Sequence, residues 1–101
     1  MPAPSPQSQA RFVDAFREGL GFRAAARLSA AEMREAALAA AARVEAEVAR
    51  MQRTGELKSV NRAYRAYRLQ ASARSEPILP YAAWMARYKA DRIREIAAAL
   101  R

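Results

Sequence analysis

The chain has 101 residues, with 18 lysines and arginines against 10 aspartates and glutamates, and it contains neither histidine nor cysteine. This length allows one domain at most. The missing residue types exclude histidine general-base catalysis, disulfides and thiolate metal sites. Because 27 residues are alanines, which favour helix but bury little area, we expect an all-α fold. Because the chain lacks histidine and cysteine, we expect a non-enzymatic protein without cofactor or metal.

No run of 18 consecutive apolar residues is present, so we expect no membrane span. The first six residues, Met-Pro-Ala-Pro-Ser-Pro, lack the basic start and apolar block of a secretory signal. We therefore expect residues 1–8 to be a disordered leader and the protein to be cytoplasmic.

Residues 9–28 predict two short helices. The first runs from Gln9 to Glu18, Gly19-Leu20-Gly21 breaks it, and the second covers Phe22 to Leu28. A short helix, a glycine turn and an alanine-rich second helix are typical of the front of a helix-turn-helix unit. The next helix opens with Ser-Ala-Ala-Glu-Met-Arg-Glu, whose acids repel phosphate, so we expect no base-specific reading.

Residues 29–75 predict an antiparallel helical hairpin with coiled-coil-like packing. Ser29 and Glu32 form a capping-box pattern that starts a helix running to about Arg53. Gly55 suits the left-handed residue at its end, and a second helix follows to Arg74. Each helix carries apolar residues at heptad spacing, and the small non-alanine core indicates that these positions join copies of the chain. The predicted oligomerisation residues are Ala37, Ala41, Val44, Val48, Met51, Leu57, Val60, Tyr64 and Tyr67.

Residues 76–101 predict a separate last helix, bounded by Pro77 and Pro80. Its aromatic face is either core or an anchor for another protein, because tryptophan, tyrosine and methionine dominate such contacts. We take it as the partner-binding element. Its members are Tyr81, Trp84, Met85 and Tyr88.

The positive charge is concentrated in the second half. Residues 1–50 have a net charge of +1 and residues 51–101 a net charge of +7. Four basic residues, Lys58, Arg62, Arg65 and Arg68, follow one stripe of the second hairpin helix. Such a stripe favours weak, sequence-independent phosphate contacts with DNA. The alternative is a solvated face, or pairing with Glu45 and Glu47 across the hairpin. Tyr64 and Tyr67 could stack on bases, although their heptad positions favour burial.

The order of these elements resembles a known family. Arg11-Phe12-Val13-Asp14-Ala15-Phe16, a glycine, and Ala24-Ala25-Ala26-Arg27 resemble the opening of the helix-turn-helix of phage-type small terminase subunits. The hairpin resembles their oligomerisation segment. The short arginine- and alanine-rich chain is most similar to the small terminases of alphaproteobacterial gene transfer agents.

The resemblance implies a homo-oligomer, possibly a ring, that brings DNA to a large terminase motor and regulates it. It also implies that the hairpin builds the oligomer and that the Trp84 region engages the motor. The weak recognition helix departs from this pattern, and the chain has no room for a C-terminal strand-rich domain. The alternatives are a small helical regulator or scaffold that binds one protein and no nucleic acid, and an arginine-rich RNA-binding protein.

Overall fold

The computed structural model of the protein describes residues 5–55 and 57–101, and for Leu57 and Ser59 it describes the backbone alone. Within these residues the chain is all helical and forms no strand, which confirms the predicted all-α class. The five helices are α1 (Pro6–Leu20), α2 (Phe22–Ala26), α3 (Ala30–Thr54), α4 (Leu57–Ala73) and α5 (Tyr81–Ala98).

Helix α1 begins three residues before the predicted start at Gln9. The Ser5 side chain caps the helix by accepting a hydrogen bond of 3.2 Å from the Ser8 backbone N–H, and Pro6 occupies the first turn, where its fixed φ suits a helix. The expected leader is therefore helical from Pro6 onward, and residues 1–4 lie outside the described residues.

The boundaries of α3 follow the predicted signals. Ser29 and Glu32 form the complete capping box, each side chain accepting a hydrogen bond from the other residue's backbone N–H, at 3.1 and 3.0 Å. These bonds lower the pKa of Glu32 below its ordinary value. Gly55 ends α3 in the left-handed conformation, with a φ of 78°, which glycine adopts without a Cβ clash.

Helix α4 ends in a Schellman motif without glycine. The Glu76 N–H donates to the Ala71 carbonyl at 2.9 Å, and the Ser75 N–H donates to the Ser72 carbonyl at 3.1 Å. Ser75 itself has a φ of 54°. These bonds satisfy carbonyls that a helix end leaves free and turn the chain into the extended segment 76–80.

The hydrophobic core lies between α1, α3 and α5. Its buried residues are Ala15, Phe16, Leu20, Met33, Ala37, Ala40, Ala41, Val44, Ile93 and Ala97. Ala37, Ala41 and Val44 were predicted to join copies of the chain, and the structure instead gives them an intramolecular role in this core. The apolar surface of α3 around these three residues is thus covered by α1 and α5 of the same chain.

Helix α4 stands beside this core rather than in it. Helix α3 packs far more extensively on α1 and α5 than on α4, so the predicted coiled-coil hairpin is not the arrangement that forms the core. Val48, Val60 and Ala71 are buried outside the core cluster, Met51 is half-buried, and the side chain of Leu57 lies outside the described residues. The radius of gyration of 15.0 Å exceeds the ~13 Å of a compact domain of this length.

Helices α1 and α5 come into close contact at Gly19, which the sequence predicted to be a helix breaker. Helix α1 continues through Gly19 and Leu20 and ends at Gly21. A Cβ atom on Gly19 would clash with the Arg94 carbonyl oxygen and come within 2.8 Å of the Ala97 Cβ. The missing side chain is therefore the reason that α1 and α5 can touch at this point.

We predict that Gly19→Ala destabilises the protein, although helix propensity alone favours alanine by about 0.5–1 kcal/mol. Overpacking against the α5 backbone costs typically ~1–3 kcal/mol, so the net free energy of unfolding should fall in urea titrations. The control is Ala39→Gly, at an exposed position of α3, which reports propensity alone. A Gly19→Ala protein more stable than the wild type would contradict the close contact.

We also predict that Ser29→Ala lowers the free energy of unfolding by about 1 kcal/mol at pH 7, because it removes the N-cap of α3. The lowered pKa of Glu32 means that its contribution is present above the pKa of the unfolded chain and is lost as the pH falls through the folded-state pKa. Glu32→Gln removes this contribution, whereas Ser29→Ala keeps the residue-29 backbone N–H from which Glu32 accepts. The stability difference between the wild type and Glu32→Gln should therefore shrink on acidification, which thermal melts across the acid range can measure. A stability difference that stays constant with pH would mean that the Glu32 carboxylate does not contribute to the cap.

Candidate nucleic-acid interface

Five aromatic side chains fasten α4 to the first half of α5, and we call them the aromatic clamp. Tyr64 of α4 lies edge-on to Tyr81, with ring centroids 5.2 Å apart, and 5.3 Å from the ring of Trp84. Trp84 also stacks on Tyr88 at 5.8 Å and lies 6.5 Å from Tyr67. Such ring pairs contribute about 0.5–1.5 kcal/mol each beyond the area they bury.

The hydroxyl groups of the clamp also hold the segment that connects the two helices. The Tyr64 hydroxyl donates to the Leu79 carbonyl at 2.8 Å, and the Leu79 N–H donates to the Tyr67 hydroxyl at 3.0 Å. A weaker bond of 3.3 Å runs from the Tyr81 hydroxyl to Asn61 Oδ1. The backbone of Leu79, which no helix satisfies, is paired in this way.

These contacts change the roles predicted for the aromatic residues. Tyr81, Trp84 and Tyr88 were expected to face a separate protein, and the structure packs them against the tyrosines of their own chain. Met85 is half-buried. Tyr64 and Tyr67 are also half-buried and lie within the clamp, as their heptad positions indicated, although their partner is α5 rather than α3.

Two carboxylates of α3, those of Glu45 and Glu47, pair with α5 and not with α4. Glu45 accepts from Lys89 at 2.9 Å, and Glu47 lies 3.3 Å from Arg92. On α1, Glu18 pairs with Arg94 at 2.7 Å. Hydrogen bonds to Glu95 and Glu18, together with the nearby negative charges, raise the pKa values of Arg92 and Arg94 against a smaller effect of burial. The pairing of Glu45 with Lys89 and of Glu47 with Arg92 excludes the alternative in which these two acids neutralise the basic residues of α4.

The basic residues of α4 remain exposed, and within the described part of the chain none of them forms an ion pair. We call Lys58, Arg62, Arg65 and Arg68 the basic face. Helix α4 contains no acidic residue. At ~1.5 Å rise per residue the basic face extends for about 15 Å. Because a helix turns by about 100° per residue, Lys58, Arg62 and Arg65 point away from the clamp tyrosines, and Arg68 lies at the edge of the face.

Two neighbours of the basic face were missed by the sequence analysis. Asn61 lines a shallow depression together with Lys58, Arg62 and Arg65, where its amide adds a neutral hydrogen-bonding group. Leu69 lies on the same side of the helix with 70% of its surface exposed. The spacing of Leu69 from Arg62 and Arg65 (seven and four residues) is the signal that could have identified it.

The N-terminal unit offers a poorer surface for nucleic acid. Helix α2 has only five residues and no buried side chain. Much of the surface of α3 is buried against the core. The exposed first turns of α3 carry Glu32 and Glu35 beside Arg34. Glu32 and Glu35 give this surface a mixed charge, whereas α4 contains no acidic residue.

No known family model, curated protein or solved structure matches this chain. Among the described residues, no helix has the length and apolar character needed to cross a membrane, and no cluster of three or more acidic residues has metal-binding geometry. The properties of the basic face are therefore argued from its own geometry and charge.

We predict that Trp84→Ala releases α4 from α5 and leaves the α1–α3–α5 core folded. The variant loses the two ring contacts that join Trp84 to α4, those with Tyr64 and Tyr67, which should lower the local stability of α4 by about 2 kcal/mol. Hydrogen exchange should accelerate in α4 and remain slow around Phe16 and Ile93. Tyr81→Phe, which removes one long hydrogen bond, is the control. Uniform loss of protection in all helices would place Trp84 in the global core.

Proposed function

We propose that the protein is a non-enzymatic adaptor that binds duplex DNA through the phosphate backbone along α4. The observation that supports this function best is the basic face itself: four exposed cations on one helix that has no acid, while Glu45 and Glu47 of α3 pair with α5. The clamp occupies the opposite side of α4, so binding of DNA requires no rearrangement of the core.

The chemistry of the basic face suits phosphate rather than base edges. Arginine guanidinium groups donate to phosphate oxygens in pairs, and contacts to the backbone carry affinity without sequence information. A span of about 15 Å corresponds to roughly four base-pair steps. Of the four residues that line the depression on the basic face, three are cations and one is Asn61, so we propose sequence-independent binding.

We further propose a role in DNA packaging, as a small terminase-like subunit that hands DNA to a large terminase motor. The support is the order of the elements along the chain: a short helix, a glycine turn, a second short helix, a long capped helix and a basic helix. Self-association into an oligomer, possibly a ring, belongs to this proposal. It must use surfaces other than Ala37, Ala41 and Val44, which the core covers. A cytoplasmic location is part of the same proposal.

Charge reversal tests the DNA-binding proposal. The double variant Arg62→Glu and Arg65→Glu should weaken binding to every duplex sequence alike in a fluorescence anisotropy titration. It should also lower the slope of log affinity against log salt concentration by about two, since each phosphate contact contributes ~0.9 to the slope. The matched control is Arg23→Glu with Arg27→Glu, two exposed positions in and just after α2, which changes the net charge equally.

Three results would contradict the proposal. Equal weakening by the control variant would mean that net charge, and not the basic face, attracts DNA. Discrimination of one sequence over random DNA by several kcal/mol would mean that another element reads bases. Absence of DNA binding at low salt would favour the protein-only regulator or scaffold.

A further inference from the structure

A groove beside the basic face combines apolar and cationic side chains, and phosphate binding does not account for it. It is lined by Arg65, Arg68, Leu69, Ser72 and Ile78. Leu69 is 70% exposed and Ile78 is 44% exposed. Two large apolar side chains in one exposed groove contribute nothing to contacts with phosphate oxygens. They favour a ligand that carries its own apolar group.

The charges around the groove restrict the identity of that ligand. Its two arginines form no ion pair within the described residues, and no acidic residue lines it. Arginine guanidinium groups bind carboxylates in a bidentate manner. We propose that this groove binds an acidic segment of a partner protein, with one apolar side chain of that segment inserted between Leu69 and Ile78.

A second copy of the chain does not fit this description. Most carboxylates in the described chain are already engaged in their own ion pairs or in the cap of α3: Asp14, Glu18, Glu32, Glu45, Glu47, Asp91 and Glu95. The partner is therefore a different, acidic protein.

A lipid surface fits less well than a protein segment. Helices that bind membranes present a continuous apolar face several residues wide. Among the described side chains of α4, Leu69 is the one large apolar group that is exposed, and Ile78 belongs to the extended segment 76–80. The proposal does not depend on DNA binding, although a partner bound here would occupy Arg65 and Arg68 and so compete with DNA.

The test is selection of binders from a displayed library of random 12-residue peptides against the full chain. The enriched peptides should combine aspartate or glutamate with a leucine, isoleucine, methionine or phenylalanine. For the most enriched peptide, synthesised with a fluorescent label, Leu69→Ser should weaken binding by about tenfold or more, as expected when a buried leucine contact is lost. Leu100→Ser, at a similarly exposed leucine in the C-terminal turn, should leave binding unchanged.

Several outcomes would overturn the proposal: no enrichment over the starting library, enrichment of peptides that lack acids or an apolar residue, or equal affinities of the two serine variants. Binding of anionic phospholipid vesicles that depends on Leu69, without any peptide binding, would identify a lipid surface instead. DNA affinity should not change in Leu69→Ser. Failure of the DNA proposal, which the Arg62 and Arg65 variant reports, is therefore distinguishable from failure of this one.

Discussion

The close contact between α1 and α5 at Gly19 is the constraint on which the rest of the arrangement depends. Small residues on both helices, among them Ala15 and Ala97, allow the backbones to approach, and Ile93 and Phe16 fill the space beside them. This contact uses the second half of α5 for the core. The first half is left to carry Tyr81, Trp84 and Tyr88, which fasten α4. One helix thus joins the core to the basic face, with a different set of residues for each task.

The distribution of ion pairs separates α4 electrostatically from the body of the protein. Every ion pair of the described chain lies within or between α1, α3 and α5. Exposed pairs of this kind contribute little to stability, typically ~0–1 kcal/mol each. Their larger consequence is that Glu45 and Glu47 of α3 and the acids of α1 are already paired, so they do not neutralise the basic residues of α4. Helix α4, which contains no acidic residue, therefore keeps its four cations exposed and unpaired within the described chain.

The sequence predicted the local structure well because local signals determine it. The capping box of Ser29 and Glu32, the left-handed Gly55 and the all-helical class were all confirmed. Heptad spacing correctly identified Ala37, Ala41 and Val44 as buried, yet it does not specify which helix covers them, because burial periodicity is the same whether the partner is α1, α4 or another chain. Gly19 shows the opposite failure. The low helix propensity of glycine predicts a break at this position. Packing against α5 overrides that propensity, because the contact requires a residue without a side chain.

The sequence likewise predicts one part of the candidate site and leaves another part undetermined. The spacing of Lys58, Arg62 and Arg65 places them on one side of a helix wherever that helix packs. Their lack of carboxylate partners depends on Lys89 and Arg92, which are far away in sequence and are brought to Glu45 and Glu47 by the core. The groove at Leu69 likewise needs Ile78, which lies after a Schellman turn in an extended segment held by Tyr64 and Tyr67.

The clamp therefore has two consequences: it directs the basic face outward, and it positions the segment that completes the neighbouring groove. Because Arg65 and Arg68 belong to both surfaces, an acidic protein segment and a DNA backbone cannot occupy them together, and the same helix would link binding of one to release of the other.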